Sequence, residues 1–365
     1  MIKSKFYDVS IYNKENLYEL DSVRGLMCIF ILGCHFFALL SYHLPIWKGV
    51  ISPFKILENA QLGLCYFFLL SGFVISWSYQ KKRTQIVVWR YTVNRFLRLF
   101  PPVFFSIVMM WLFYYKGWLT ITDNMIEESK WLREMYMSTP HKNSYNPFFD
   151  VFFNSFLGGE VIYNGNLWAI RYEFLVPICM VIIIPYMHYR LVRLILCFVV
   201  LIMLTILGGK RYFYFGNMLL SMQMCYYFSS FNYKRWRKTV NILLILSVCT
   251  SNLFVLPLHN TIIKWINLIT ALSILVYVIF DESSFKHTIM NNIILRKMGK
   301  LSYEIYVFHL FFLLTLTPFV YNNVEKVMER SNSILIAYFL TILITIVFSA
   351  IFNKYISTPF NKIRV

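Results

Sequence analysis

The sequence predicts an all-α, polytopic integral membrane protein, because of its composition and its repeated long apolar runs. Hydrophobic residues make up 58% of the 365 residues and charged residues only 14%, and the mean hydropathy is +0.58. A soluble chain of this length would carry a more polar surface. We therefore expect about ten transmembrane helices in a single membrane-embedded domain over residues 1–365, with no appended soluble domain.

Ten apolar runs are the candidate spans. They lie approximately at 24–42, 61–79, 100–117, 167–187, 194–208, 212–231, 239–257, 262–280, 301–320 and 333–352. Pro101 and Pro102 lie in the first turn of the third run, a position that suits proline in a helix. The fourth follows the longest loop, from Trp118 to Asn166, in which NPFFDVFFNSFLGG is expected to form short amphipathic or re-entrant pieces. Several runs are short of the about 20 residues that a bilayer requires, and their ends are the least defined part of the pattern.

Lys and Arg concentrate in the loops on one side of these spans. The clearest inner loops are Lys81 to Arg98 and Tyr233 to Lys238, so the positive-inside rule places both termini in the cytoplasm. The net charge of +18 is explained by this bias and by attraction to anionic lipid headgroups. Because the charge is spread over several membrane-adjacent loops, we expect membrane lipids as partners and no nucleic acid.

Arg24 and His35 lie eleven residues apart in the first apolar run, LDSVRGLMCIFILGCHFFALL. Eleven residues of α-helix turn through about 1100°, so the two side chains share one face, about 16 Å apart along the axis. Arg24 is expected near the start of the span and His35 near its middle. Because an ionisable side chain at that depth is costly, both are candidate functional residues. An anion held by Arg24 would present a reactive group to His35.

Arg95 and Arg98 form a second basic group in VNRFLRLFPP, where an inner loop enters the third span. Three residues apart on a helix, they point to similar sides. With Arg24 they place three guanidinium groups at one membrane face, and guanidinium groups match the geometry of phosphates. The alternative is that these arginines only anchor the topology.

Glu173 lies about two turns inside the apolar run that begins with NLWAIRYEFLVP. Arg171 is only two residues away, so the two side chains do not share a face. Glu173 therefore needs another partner, and a histidine is the natural candidate, because a carboxylate that orients an imidazole is a recurrent acid/base arrangement. We expect Glu173 to approach His35 or to face the same cavity. The alternative is a carboxylate paired for helix packing.

Five weaker candidates for lining this cavity are Asp21, Ser71, Gly72, Tyr306 and His309. Asp21 either orients Arg24 or marks the start of the helix. Ser71 and Gly72 either let a backbone or ligand approach closely or serve helix packing. Tyr306 and His309 follow helical spacing and either line the cavity or pack as aromatic residues.

The seven cysteines all fall in candidate spans. Their spacing, with or without histidines, is not typical of a metal site. Small apolar packing is their simplest role, and we expect neither a metal nor a permanently bound cofactor.

Six segments, in order along nearly the whole chain, resemble the acyltransferase 3 family of integral membrane acyltransferases. LDSVRG followed by His35 resembles the family's N-terminal signature, and YFFLLSGFVIS resembles its FF-x-LSGF span. NRFLRLFPP resembles its R-x-x-R element, and LWAIRYEF its W-S-L-x-x-E element, with Glu173 in the glutamate position. LSYEIYVFH resembles its SYSLYLWH element, and YISTPF its Y-I-E-x-P-F ending. Ser22, Ala169 and Ser357 depart from the usual family residues, outside the candidate site residues.

This resemblance implies transfer of an acyl group, usually acetyl from acetyl-CoA, to a hydroxyl. Many family members modify bacterial surface carbohydrates: O-antigen, capsule, exopolysaccharide or lipopolysaccharide. It therefore implies a protein of the bacterial cytoplasmic (inner) membrane with acyl-CoA as co-substrate and a carbohydrate or lipid-linked sugar as acceptor. Arg24, Arg95 and Arg98 would bind acyl-CoA. His35 would act with Glu173, either as general base on the acceptor hydroxyl or as carrier of the acyl group.

Two other classes of membrane protein are compatible with buried charges. A transporter or flippase of an anionic glycolipid would line its path with them and would not turn over acyl-CoA. A lipid-linked sugar polymerase or glycosyltransferase would depend on a sugar-lipid donor. The Arg24 and His35 spacing and the ordered family motifs favour the acyltransferase.

Overall fold

The computed structural model describes residues 14–40, 53–82, 87–137, 145–206, 212–228, 231–253 and 261–363. All regular elements within these ranges are helical, as the composition predicts. The α-helices are, in chain order, α1 (Lys14–Leu39), α2 (Ala60–Lys82), α3 (Val88–Lys116), α4 (Asp123–Glu128), α5 (Lys130–Met137), α6 (Pro147–Phe149), α7 (Ile170–Ile183), α8 (Arg190–Thr205), α9 (Tyr212–Tyr227), α10 (Tyr233–Leu253), α11 (Thr261–Phe280), α12 (Ser284–Met290), α13 (Ile293–Lys300), α14 (Ser302–Val324), α15 (Arg330–Phe352) and α16 (Thr358–Phe360). Short 3₁₀ or π turns occupy Pro53–Glu58, Asp150–Asn154, Gly165–Ala169, Ile184–Tyr186 and Asn353–Ser357.

Seven helical segments of the described chain are long and apolar enough to cross a membrane, which identifies an integral membrane protein. They are Tyr18–Leu39, Ala60–Gln80, Val88–Lys116, Gly165–Tyr186, Thr261–Phe280, Ser302–Val324 and Arg330–Phe360. Each corresponds to an expected run, and the runs at 194–208, 212–231 and 239–257 correspond to α8, α9 and α10. With 16 residues each, α8 and α9 are about 24 Å long, short of the about 30 Å hydrocarbon core. α10 begins with the basic sequence YKRWRK. The count of ten spans therefore stays a prediction.

The described chain forms two compact units, and each unit is built from three separate stretches. The first contains α1 as far as Phe30, α2 with the start of α3, and the chain from Leu175 through α13. The second contains the end of α1, the chain from Val93 to Phe174, and the helices from α14 onward. Because α1, α3 and α7 each contribute residues to both units, no break in the sequence marks a boundary.

Close backbone approaches at glycines hold the first unit together. A Cβ added to Gly72 of α2 would lie 2.2 Å from the carbonyl oxygen of Met218 in α9. A Cβ on Gly299 of α13 would lie 1.7 Å from the carbonyl oxygen of Asp21 in α1. Only glycine fits at these contacts, which are typical of helix packing in membranes.

Buried polar side chains also join the helices of the first unit. Glu19 of α1 contacts Lys286 Nζ and His287 Nδ1 of α12, each at 2.8 Å. Asn59 donates to Asn267 Oδ1 of α11 at 2.8 Å and to Ser251 Oγ of α10 at 2.7 Å. Such partners offset the cost of burying charged and amide groups among apolar helices.

An aromatic ladder on α3 organises the second unit. Phe96, Phe100 and Phe104 follow at four-residue spacing and pack along one face of the helix, with ring centroids 5.1 Å and 5.7 Å apart. Phe152 and Phe156, from the loop before α7, pack against Phe100 and Phe96. This loop is thereby held against α3.

The start of α3 corrects one expectation. Because α3 begins at Val88, Pro101 and Pro102 lie inside the helix and not in its first turn. The basic residues before them suggested a loop, although Arg and Lys are good helix formers. The two prolines lack N–H groups, so they cannot donate to the carbonyls of Leu97 and Arg98 one turn earlier.

Candidate active site

The second unit brings together two histidines, His35 of α1 and His309 of α14. His35 Nδ1 lies 3.2 Å from His309 Nε2, and the ring centroids are 5.2 Å apart. Trp131 of α5 packs against the His35 ring at a centroid distance of 5.6 Å. His309 is fully buried, whereas His35 is partly exposed. His35 is therefore the member of the pair that a reactant can reach.

Asn166 and Tyr306 complete the hydrogen bonding around His309. Asn166 Nδ2 lies 2.9 Å from His309 Nε2, and His309 Nδ1 bonds the carbonyl of Tyr306. The Tyr306 hydroxyl in turn donates to the backbone carbonyl of Asn166. These bonds tie α14 to the 3₁₀ turn Gly165–Ala169, which leads directly into α7.

Glu173 of α7 forms an ion pair with Arg95 of α3. Arg95 Nη2 is 2.9 Å from Glu173 Oε2, and Arg95 Nε donates to the backbone carbonyl of Glu173. Their side chains are 12% and 23% exposed, so solvent screens the pair only partly. An arginine therefore supplies a neighbouring charge for Glu173, and the expected approach of Glu173 to His35 or to a shared cavity stays a prediction. Sequence spacing excluded only Arg171 and could not show that α3 lies beside α7.

Three side chains on α14 form a row from this ion pair to the two histidines. They are Tyr303, Tyr306 and His309, and we call them the α14 row. The Tyr303 hydroxyl donates to the carbonyl of Leu99 in α3 at 2.7 Å. The same hydroxyl lies within electrostatic range of Arg98 and of the Glu173 carboxylate. Residues three apart lie on similar sides of a helix, and the rise from Tyr303 to His309 is about 9 Å. The basic residues thus lie at one end of this row and the histidine pair at the other.

Asp150 fixes the loop that leads into the 3₁₀ turn before α7. Its buried carboxylate accepts hydrogen bonds from the backbone N–H groups of Ile162 at 2.7 Å and Tyr163 at 2.9 Å. The side-chain amide of Asn154 donates to it at 2.6 Å. Burial raises the pKa of Asp150 above its ordinary value, and these donors partly offset that effect. The segment NPFFDVFFNSFLGG contains α6 and the π turn Asp150–Asn154, and its amphipathic or re-entrant character stays a prediction.

The same loop then inserts between α3 and α14. Gly158 and Gly159 have φ values of 143° and 152°, a conformation that favours glycine. Asn164 donates to Ser106 Oγ of α3 at 2.6 Å and to the carbonyl of Val307 in α14 at 3.0 Å. Asn164 and Ser106 are fully buried. The loop therefore presents the following turn to His309 in a fixed position.

The remaining predicted residues lie in the first unit. Arg24 pairs with Asp21, one turn earlier on α1, at 3.3 Å, so the contact required for an orienting role exists. Ser71 and Gly72 lie on α2, where the groups close to Gly72 are the Met218 carbonyl and the Ser221 hydroxyl of α9. α1 is unbroken from Lys14 to Leu39, which confirms that Arg24 and His35 belong to one helix.

Several residues around the histidine pair were not singled out from the sequence. Asn164, Asn166 and Trp131 are the main ones. Asn164 and Asn166 come directly before a long apolar run, and this position was the signal in the sequence. Amide side chains buried in a membrane domain require hydrogen-bond partners. Trp131 carried no such signal, since it lies in a short helix of a polar loop.

The described residues contain no group of three His, Cys, Asp or Glu side chains that could hold a metal ion. An accessible imidazole backed by a buried hydrogen-bond network can accept and return a proton. Guanidinium groups at the other end of the α14 row can bind an anion.

Comparison with known protein families identifies the family to which this chain belongs. A family model described as an acyltransferase domain matches residues 17–354, which include all the candidate site residues. Comparisons with curated proteins and with solved structures find no match. The matched region covers nearly the entire chain. The chain therefore belongs to the acyltransferase 3 family, and it is a membrane acyltransferase.

Proposed function

We propose that this protein is a membrane O-acetyltransferase of the bacterial inner membrane. It moves an acetyl group from cytoplasmic acetyl-CoA to a hydroxyl of a surface polysaccharide or lipid-linked sugar, such as O-antigen, capsule, exopolysaccharide or lipopolysaccharide. Family membership supports acyl transfer. The observation that carries the finer proposal is the partly exposed imidazole of His35, which contacts buried His309 at 3.2 Å.

The basic end of the α14 row suits the phosphates of the donor. Arg98 is exposed and the Arg95 side chain is mostly buried, so Arg98 is the more accessible of the two to an incoming nucleotide. Arg95 already donates to Glu173, which fixes the direction of its guanidinium group. Charge-assisted hydrogen bonds from guanidinium groups to phosphate oxygens would bind coenzyme A. Acetyl-CoA would bind as a co-substrate and not as a permanent cofactor. Arg24 is the third residue proposed for donor binding.

The proposed reaction needs one base and one leaving group. His35 takes the proton of the acceptor hydroxyl as its oxygen attacks the thioester carbonyl carbon. A C–O bond forms and the C–S bond breaks. Because His35 returns the proton to the sulfur, coenzyme A leaves as its thiol. In the alternative route His35 itself carries the acetyl group for one step. Acetylated His35 trapped without acceptor, and detected by mass spectrometry, would establish that second route.

In the proposed function Glu173 acts differently from the sequence-based expectation. Its carboxylate bonds Arg95, and the Nδ1 contact of His35 is with His309. We propose that Glu173 fixes Arg95 for donor binding. A direct part for Glu173 in proton transfer stays a prediction.

The test follows acetyl transfer in membranes that contain the natural acceptors. Inverted vesicles receive acetyl-CoA labelled in the acetyl group, and label in membrane glycans is measured for wild type, His35→Gln and the neighbouring control Cys34→Ala. Loss of general base catalysis should reduce transfer by about 100-fold or more in His35→Gln, while Cys34→Ala should stay near wild type.

Two outcomes would contradict the proposal. Near-normal transfer by His35→Gln would remove His35 from the mechanism. Movement of a glycolipid across the vesicle membrane without consumption of acetyl-CoA would instead support a transporter or flippase. Mass and NMR analysis of surface polysaccharide from cells with and without the gene would identify the acceptor and the acylated hydroxyl.

A further inference from the structure

We infer that His309 is a positioning residue that holds His35 in one tautomer, with the hydrogen on Nδ1 and the lone pair on Nε2. Nε2 of His35 is then the nitrogen that takes the proton of the acceptor. This inference rests on the proposed function of His35 as the general base. The assignment follows from which atoms around the two rings can donate a hydrogen and which can only accept one.

The first step concerns His309 itself. Its Nδ1 bonds the backbone carbonyl of Tyr306, one turn earlier on α14. A carbonyl oxygen can only accept, so Nδ1 of His309 carries the hydrogen. A neutral imidazole has one ring hydrogen, and Nε2 of His309 is therefore an acceptor.

Asn166 agrees with this assignment. Its side-chain NH₂ group lies 2.9 Å from His309 Nε2 and donates to that acceptor. The Tyr306 hydroxyl donates a hydrogen bond to the backbone carbonyl of the same asparagine. Asn166 is buried, and these bonds fix both its backbone and its amide against the ring.

The second step uses the acceptor nitrogen of His309 to assign the ring hydrogen of His35. His35 Nδ1 lies 3.2 Å from the same Nε2 of His309, whose single lone pair it shares as a second, more distant donor beside Asn166. An unprotonated Nδ1 would instead set two lone pairs against each other, so the hydrogen of His35 is assigned to Nδ1. Nε2 of His35 is left with the lone pair that a base requires.

Burial separates the roles of the two histidines. His309 is 0% exposed, so it is screened from reactants, whereas His35 is partly exposed. His309 therefore acts through His35 and not by contact with a substrate. The sequence suggested that His309 either lines a cavity or packs as an aromatic residue. The hydrogen bonds give it a third role.

The direct test is ¹⁵N NMR of the full-length protein, labelled at histidine and reconstituted in lipid. Signals of His35 are identified by their absence from the His35→Gln variant. We expect a protonated Nδ1 and an unprotonated Nε2 for His35. The opposite tautomer in the wild-type protein would overturn the inference. This measurement needs no acceptor and no turnover, so it stands even if the proposed function fails.

A pair of variants tests the consequence for acetyl transfer. In His309→Gln the side-chain oxygen reaches the place of Nε2 and can still accept from His35. In His309→Asn the side chain is one bond shorter and loses that acceptor. We expect kcat to fall by about 100-fold in His309→Asn and to be largely retained in His309→Gln, with the acetyl-CoA KM within twofold of wild type in both. Equal activities of the two variants would contradict the positioning role.

Asn166→Asp provides a variant of nearly unchanged shape. An ionised carboxylate can only accept, so His309 carries a hydrogen on Nε2, either as the imidazolium or by giving up the hydrogen on its Nδ1, and Nε2 then cannot accept from His35. We expect the His35 NMR signals to shift to the Nε2-protonated form and kcat to fall, while acetyl-CoA binding is unchanged. A wild-type tautomer and kcat in this variant would show that the network does not set the state of His35. If wild-type transfer proves independent of His35, the proposed function fails and the NMR result alone decides the tautomer.

Discussion

At the scale of single residues, Arg95 and Arg98 should contribute differently although they are three residues apart. Arg98 is exposed, whereas Arg95 is paired with Glu173 at 2.9 Å. Arg98→Gln should raise the acetyl-CoA KM by about tenfold or more, since a charge-assisted hydrogen bond contributes about 1.5–3 kcal/mol. Arg95→Gln should raise the same KM and also lower the free energy of unfolding by about 1–2 kcal/mol, because Glu173 loses its ion-pair partner.

The double variant Arg95→Gln/Glu173→Gln is the matched control. It removes both charges, so most of the lost stability should return while donor binding stays weak. Donor KM and thermal unfolding in detergent measure the two effects separately. An unchanged donor KM in Arg98→Gln, with only the acceptor KM raised, would show that the arginines do not bind the donor.

The candidate residues also show how far sequence reasoning reached. Arg24 and His35 could be identified because an ionisable side chain inside an apolar run is costly and therefore conspicuous. The partners of His35 and Glu173 could not be identified, because each lies on a helix far away in sequence. A spacing rule shows which residues share a face of one helix and does not show which helix packs against that face.

At the scale of elements, the loop before α7 depends on one carboxylate. Asp150→Ala removes the acceptor of the Ile162 and Tyr163 N–H groups, and each orphaned buried donor costs about 1–3 kcal/mol. Asp150→Asn keeps an acceptor oxygen and should cost about 1 kcal/mol. We expect a much lower unfolding temperature for the alanine variant than for the asparagine variant, and a lower kcat because this loop positions Asn166. Equal unfolding temperatures would show that other contacts hold the loop.

Elements could be predicted more completely than their ends. All seven segments long and apolar enough to span a membrane coincide with apolar runs of the sequence. The start of α3 could not be predicted, because its first eleven residues, from Val88, carry the basic side chains that also characterise loops at the inner membrane surface. Hydropathy reports where a helix meets lipid, and it does not report where the hydrogen-bonded helix begins.

At the scale of the whole molecule, the number of spans decides where the termini lie. Ten crossings place both termini on one side of the membrane, whereas seven crossings place them on opposite sides. The bias of Lys and Arg predicts two cytoplasmic termini and therefore an even number of crossings. The ten predicted spans are reached when α8, α9 and α10 all cross. α8 and α9 have 16 residues each. A bilayer can thin locally around such short helices at a cost of fractions of a kcal/mol per Å.

Terminal tags on the full-length chain test this arrangement. We expect N-terminal and C-terminal epitopes to be cut by protease in inverted vesicles and protected in right-side-out vesicles, because an even number of crossings returns the chain to its starting side. Lys130→Cys, in the loop between α3 and α7, should show the opposite orientation and react with an impermeant maleimide only from outside. Lys130 is strongly exposed, with 88% of its side chain accessible, so its labelling reports sidedness and not burial.

Epitopes on opposite sides would mean an odd number of crossings. At least one of α8, α9 and α10 would then lie within one leaflet or at the surface, and the positive-inside assignment of the later loops would be reversed.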